Sequence, residues 1–349
     1  MKNFYLFVVI WVVILHSQNS FAQSPSMQHK KVEALHCAAF SPYVGTLTPD
    51  YGIQPSKALI DQLMDRLVKE ARFNCIMTYG VLNGLDYMFT AAKARHLKVI
   101  AILWLDKDTA VNSQSISKGI ELAKAFPETI IKLSCGSEVR TRHAYAFDQE
   151  ISRCIEGLRN AGVAQPITTI DTWWEWCNRS LNCGQTNFGV QVDWIGINVF
   201  PWWENKHSGV HTCIPAIKAA DFHIARVEEI QKTYPGKEVV LTEFGWPNGP
   251  KDGTEVNKHT GQHCGVANKQ NQKMVIKATF KKLAQQNRSG VVFEAFSENW
   301  KPSKEGSSGD YWGICQGTAP YHCIKDLRAS LKIQPFPRHL TRSKVAEMR

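Results

Sequence analysis

The sequence predicts a single (β/α)8 barrel, and three observations predict it. Eight short apolar runs rich in β-branched residues recur along the chain, amphipathic helical stretches lie between them, and no glycine-rich phosphate turn follows the first run. The runs fall at 34–40, 73–79, 98–104, 129–135, 167–171, 192–199, 238–243 and 290–296. Strands this uniformly apolar are buried on both faces, as in a parallel sheet wrapped by helices. The helical patterns occupy 56–71, 84–96, 115–126, 146–161, 214–233 and 268–288. In the first of them Leu59, Ile60, Leu63 and Leu67 share one face behind Ser56, a good N-cap side chain. The alternative, an open doubly wound sheet, needs a phosphate turn that AAFSPYVGTLTPDYG does not supply. With no internal repeat, linker or change of composition, residues 23–332 read as one domain.

Lys2 precedes an apolar stretch over 4–15, and Ser20-Phe21-Ala22 offers a cleavage site, so 1–22 are expected to be a secretory signal peptide. The stretch is short for a bilayer span, and no second candidate follows it. Residues 333–349 read as a basic C-terminal tail. Lys and Arg number 41 against 31 Asp and Glu, a formal charge of +10; without Lys2 it is 10 − 1, or +9. These charges are scattered and carry no nucleic-acid motif. They read as solubility and a weak attraction to anionic surfaces such as a cell wall, in a monomer with no nucleic-acid partner. Export favours disulfides. Spacing permits Cys177 with Cys183, Cys315 with Cys323, and Cys213 with Cys264, whereas Cys37, Cys75 and Cys135 sit in strand-like runs and are expected to be buried thiols.

In such a barrel the chemistry comes from the C-terminal ends of the strands. Those ends read Ser41-Pro42-Tyr43, Tyr79-Gly80, Trp104, Ser137-Glu138, Asp171-Thr172-Trp173, Asn198 to Trp203, Glu243 to Trp246, and Glu294 to Lys301. Nearly every one is polar and aromatic together. Glu138 follows the fourth run and Glu243 ends the seventh, so a barrel brings both toward its axis. Paired carboxyl groups about 5–5.5 Å apart perform retaining glycoside hydrolysis, one as acid/base and one as nucleophile. Sugar also accounts for Trp173, Trp202, Trp203, Trp246 and Trp300, since pyranose faces stack on aromatic rings. An isolated strand-end Glu is as readily half of an ion pair; two in matching contexts weaken that reading.

These residues carry a family resemblance. VVLTEFGWP (239–247) and VFEAFSENWK (292–301) resemble the nucleophile and last-strand motifs of glycoside hydrolase family 17, the β-1,3-glucanases and β-1,3-glucan transferases. FSPY (40–43), MTYG (77–80), CGSEV (135–139) and GINVFPWW (196–203) follow in that family's order, nearer its compact fungal and bacterial members. The resemblance implies Glu243 as nucleophile, Glu138 as general acid/base, Tyr79 beside the nucleophile, and Glu298, Lys301 and the auxiliary Glu294 lining the sugar site. Tyr43, Ser137, Asn198, Phe200, Trp173, Trp202, Trp246 and Trp300 complete the expected binding set. The nucleophile should stay ionised beside Tyr79 or Lys301, and burial should keep the acid protonated.

One position departs. The family places Asn before the acid/base, where its amide holds the sugar 2-hydroxyl; this chain has Ser137. The expected function is a secreted retaining hydrolase of β-1,3-glucan, with a transglycosylase or a catalytically weak glucan-binding protein as alternatives. No cofactor or metal is expected: HTGQHC (259–264) lies in a polar loop without a further ligand set, and His36 and His96 read as structural. Asn178 and Asn287 head N-glycosylation patterns, which matter only in a glycosylating host. At least one ring of Trp173-Trp174-Glu175-Trp176 is expected to face the cleft.

Overall fold

A computed structural model of the chain describes residues 35–327, apart from 181, 208–212, 251–252, 257–261 and 326. The expected signal peptide and basic tail lie outside the described residues. Eight parallel strands close into a barrel in the order β1-β2-β3-β4-β5-β6-β7-β10. They are β1 (His36–Phe40), β2 (Cys75–Thr78), β3 (Lys98–Leu103), β4 (Ile130–Ser137), β5 (Ile167–Thr172), β6 (Trp194–Asn198), β7 (Glu238–Phe244) and β10 (Gly290–Val292). A small antiparallel hairpin, β8 (Gly253–Val256) with β9 (His263–Ala267), rises within the stretch after β7.

The two-residue period of each strand sorts side chains into two cores. Cys37, Ala39, Met77, Ile100, Ile102, Ile170, Trp194, Val240 and Val291 point inward and fill the barrel. Their alternates, among them Ala38, Phe40, Val99, Ala101 and Leu103, pack outward against the helices. The expected helices are present. Ser56 caps Lys57–Arg66 by accepting from Leu59 N at 3.2 Å. Thr109–Ala125 begins six residues before its apolar pattern, because Asp108 accepts from Ala110 N and Val111 N at 2.9 and 3.1 Å and starts the helix on an exposed turn.

Two expectations are corrected. The last strand ends at Val292 rather than 296. Beyond it the backbone is shared out: Ala295 N bonds to Ala39 O at 2.8 Å, while Ile314 N and Ser297 N tie 294–297 to 314–315. This break in the ladder turns Glu294, Glu298 and Lys301 onto the rim. The cysteines Cys37, Cys75 and Cys135 are not thiols but disulfide partners, Cys37 with Cys75 and Cys135 with Cys154. Adjacent strands bring Cys37 and Cys75 together with Cα atoms 4.4 Å apart, a contact that spacing along the chain does not encode. The pairs Cys177–Cys183, Cys213–Cys264 and Cys315–Cys323 form as expected.

Candidate active site

Glu138 follows β4 in a left-handed backbone conformation, φ 53°, which a non-glycine residue adopts only under constraint. Gly136, two residues earlier, has φ 80°, and a Cβ there would lie 2.3 Å from Val139 Cγ2. The turn is held from β5. Asp171 accepts from Arg140 N at 2.9 Å, Thr141 Oγ1 at 2.6 Å and its neighbour Thr172 N at 2.9 Å. Burial nonetheless pushes the Asp171 carboxyl up to about 7, with those three donors opposing the rise and the Glu138 charge adding to it.

Glu243 comes from β7 across the barrel and is 5% exposed. The Tyr79 hydroxyl, just past β2, donates to its Oε1 at 2.7 Å. Asn198 at the end of β6 donates to Glu138 Oε1 at 2.9 Å. Burial raises both carboxyls. At Glu243 the nearby Glu138 charge raises it further, well above the ordinary range, while Tyr79 and Lys301 pull it back. At Glu138, Asn198 and Arg142 oppose the rise. The upward push expected for Glu138 alone therefore falls on both, and harder on Glu243. The Glu138 charge thus disfavours ionisation of Glu243, so the site resists carrying both charges at once.

Lys301 sits between Glu294 and Glu298, paired with both, at 2.7 Å from Glu298 Oε2. Ser41 Oγ donates to the other Glu298 oxygen, where Trp300 Nε1 also points at 3.3 Å. Burial pushes Glu294 far up even against this cation, and the two carboxylates outweigh desolvation in raising Lys301. The ammonium also lies 4.1 Å from the Phe293 ring centre.

Between the loops after β1, β2 and β3 and the 293–305 segment lies a cavity of about 660 Å³. Tyr43, Tyr79, Ser137, Glu138, Glu243, Glu298, Trp300 and Lys301 all line it. Asn198 and Glu294 stand behind it, bonded to Glu138 and Lys301. The expected aromatics Trp173, Phe200, Trp202 and Trp246 do not line it. Trp202 and Trp246 are 2% and 0% exposed and meet edge to face at 5.3 Å in a core outside the barrel, with Trp246 Nε1 bonded to Val266 O. Phe200 packs on Phe293 and Trp312. Trp173 is pinned by Glu204 at 2.7 Å and by the Arg226 guanidinium over its ring, and no ring of 173–176 lines the cavity. Bulk and an indole N–H suit a rim core as well as a sugar, so composition did not separate the two.

Sequence reasoning missed Arg142, Asp106 and Glu305, which line the cavity with Trp104. Arg142 follows Glu138 by four residues and Glu305 follows Lys301 by four, but neither belongs to a periodic pattern. Burial pushes Glu305 up to about 7 against the pull of Lys301. Among the described residues, one group has metal-like spacing, Cys177, Cys183 and Glu229, and its two sulfurs are joined in a disulfide. His263 of the expected loop pairs with Thr254 at 2.7 Å.

The model of the BtgE/BtgC glycoside hydrolase domain matches residues 37–313, every barrel strand but its first residue included. The chain belongs to this family of glycoside hydrolases. Its resemblance to family 17 holds as well: it is 22% identical over 260 residues to a protein of Saccharomyces cerevisiae named probable family 17 glucosidase, covering 72% of this chain and 59% of that one. It is 27% identical over 201 residues to a probable glucan endo-1,3-beta-glucosidase of Aspergillus oryzae, covering 51% of this chain and 40% of that one. The chain thus spans about two fifths to three fifths of these relatives' lengths. In fold it is similar to a family 17 β-1,3-glucanosyltransferase from Rhizomucor miehei, with a TM-score of 0.62 at 16% identity over 83% of this chain and 95% of that one.

Proposed function

We propose that this family member is a retaining glycosidase acting on β-1,3-glucan by double displacement. The observation that carries the reading is the placement of two carboxyls, the half-buried Glu138 after β4 and the buried Glu243 of β7, on one cavity, each with its own hydrogen-bond donor. The names of the relatives support β-1,3-glucan as the substrate class. Five disulfides support export to an oxidising compartment, where the chain acts as a monomer behind a cleaved signal peptide over 1–22.

Glu243 acts as nucleophile. Its carboxylate attacks the anomeric carbon while Glu138 gives its proton to the departing glycosidic oxygen, leaving a glucosyl ester on Glu243. Glu138, now a carboxylate, takes a proton from water as that water attacks the same carbon and frees Glu243. A sugar hydroxyl in place of water gives transfer with the same residues. The Tyr79 hydroxyl and the Lys301 ammonium stabilise the charge that Glu243 must carry to attack. Asn198 steadies Glu138 in both of its roles.

The test is a time course with laminari-oligosaccharides. Shorter products indicate hydrolysis and longer ones transfer. Substrate bound but unchanged would leave a glucan-binding protein, with Ser137 as the reason. Turnover that survives Glu243→Gln would remove Glu243 as nucleophile.

A further inference from the structure

Trp104 follows β3 at the cavity rim, beside the strand that carries Glu138. It is 37% exposed, the most exposed tryptophan among the described residues, whereas Trp176, Trp194, Trp202, Trp246 and Trp312 are all core. Its open ring faces a cavity whose lining mixes the carboxyls Glu138, Glu243 and Glu298 with apolar side chains such as Val81, Leu82 and Trp300, the mixture of apolar surface and a few polar groups that suits an amphipathic ligand. Val111, which lines the same cavity, is 44% exposed.

The ring is nevertheless firmly held. The Arg142 guanidinium lies 4.3 Å from the ring centre. That guanidinium is itself fixed, donating to Leu105 O at 2.8 Å, to Ser137 O at 3.2 and 3.3 Å, and to Asp106 at 3.1 Å. Asp106 also takes His143 at 3.0 Å and the Trp104 indole N–H. One face and the polar edge are thus occupied by protein, leaving the remaining aromatic surface to the cavity. The same guanidinium stabilises the Glu138 carboxylate, so the ring stands one side chain away from the acid/base.

We propose that Trp104 is a preorganised stacking platform for the glucosyl unit beside the one being cleaved, and that it makes turnover depend on oligosaccharide length. This rests on the glycosidase reading above. Sugar rings carry a face of C–H bonds that suits an electron-rich indole, and a cation behind the indole fixes its orientation without blocking the open face. A platform already in place loses little conformational entropy when it binds. Contact energy from a neighbouring unit is then available to drive the reacting unit toward its transition state.

The experiment compares kcat/KM on laminari-oligosaccharides of increasing length for the full chain, Trp104→Phe and Trp104→Leu, with thermal melts as a folding control. Leu keeps apolar bulk but has no flat face; Phe keeps the face. In the Leu variant the longest substrate should lose roughly tenfold more than the shortest, which flattens the length dependence, while Phe retains most of it. Equal losses at every length, or Leu behaving as Phe, would overturn the platform. Binding of laminarihexaose to Glu243→Gln, with and without Trp104→Leu, reads the same contact without turnover. If wild type cleaves nothing but this binding still weakens roughly tenfold with Leu, the hydrolase reading falls and the platform stands; binding unchanged by Leu overturns the platform.

Discussion

Asn198 ties the Glu138 carboxyl to the strand that carries Glu243. Its Nδ2 donates to Glu138 Oε1 at 2.9 Å, and its Oδ1 accepts from the hydroxyl of Thr242, the residue before Glu243, also at 2.9 Å. Thr242 thereby settles which end of the amide faces Glu138. A donor there favours the ionised carboxyl, so Asn198→Ala should raise the Glu138 pKa and move the alkaline limb of the kcat/KM profile to higher pH. Losing a hydrogen bond to a charged group should also lower kcat/KM roughly 10- to 100-fold. A pH–rate profile of the variant checks both, and an unmoved alkaline limb would separate Asn198 from the acid/base.

Tyr79 acts on the other partner. Its hydroxyl opposes the combined push of burial and the Glu138 charge on Glu243. Removing it in Tyr79→Phe should raise the Glu243 pKa. A nucleophile must be ionised to attack, so the acid limb of the profile moves up and activity is lost first at low pH. The expected fall in kcat is about tenfold at the optimum, with KM changed little. A fall in affinity alone would make Tyr79 a sugar contact rather than a partner of the nucleophile.

Asp171 bears on stability. Burial, less its three donors, holds its folded pKa at about 7 against about 3.9 in an unfolded chain. Between these values the folded state keeps a proton that the unfolded chain has released. This contribution to stability is therefore full below about pH 4 and declines by up to a few kcal/mol as pH rises to about 7. Asp171→Asn does not titrate, so it should be the less stable protein at pH 4, where a bond is lost, and close the gap by pH 8. Urea unfolding across that range measures the difference; parallel curves would mean that Asp171 does not carry the slope.

The barrel was legible because its signals are local: β-branched runs, helical periodicity, and caps such as Ser56. The two carboxyls were legible because strand ends map onto the rim of a barrel. What escaped depends on contacts between distant segments. Cys37 and Cys75 meet only because β1 pairs with β2. Trp202 and Trp246 are drawn into a core that forms where the excursion after β7 folds back. Arg142 matters through a short turn set by Asp171, and nothing in the residues around Arg142 announces that turn.

Ser137 offers the sharpest test of the chemistry. It is 3% exposed and lines the cavity between Glu138 and the strand beneath, at the place where family 17 carries Asn. Its backbone carbonyl is engaged by Arg142, whereas its hydroxyl is too short to reach as far as an amide. In retaining glycosidases the contact to the sugar 2-hydroxyl strengthens in the transition state, so its absence lowers kcat more than it weakens binding. Ser137→Asn should therefore raise kcat roughly tenfold while KM moves less, provided the amide enters the cavity rather than the strand packing. Steady-state kinetics on laminari-oligosaccharides, beside a melting curve, separates these outcomes. A stable variant with unchanged kcat would mean that another group already meets the 2-hydroxyl.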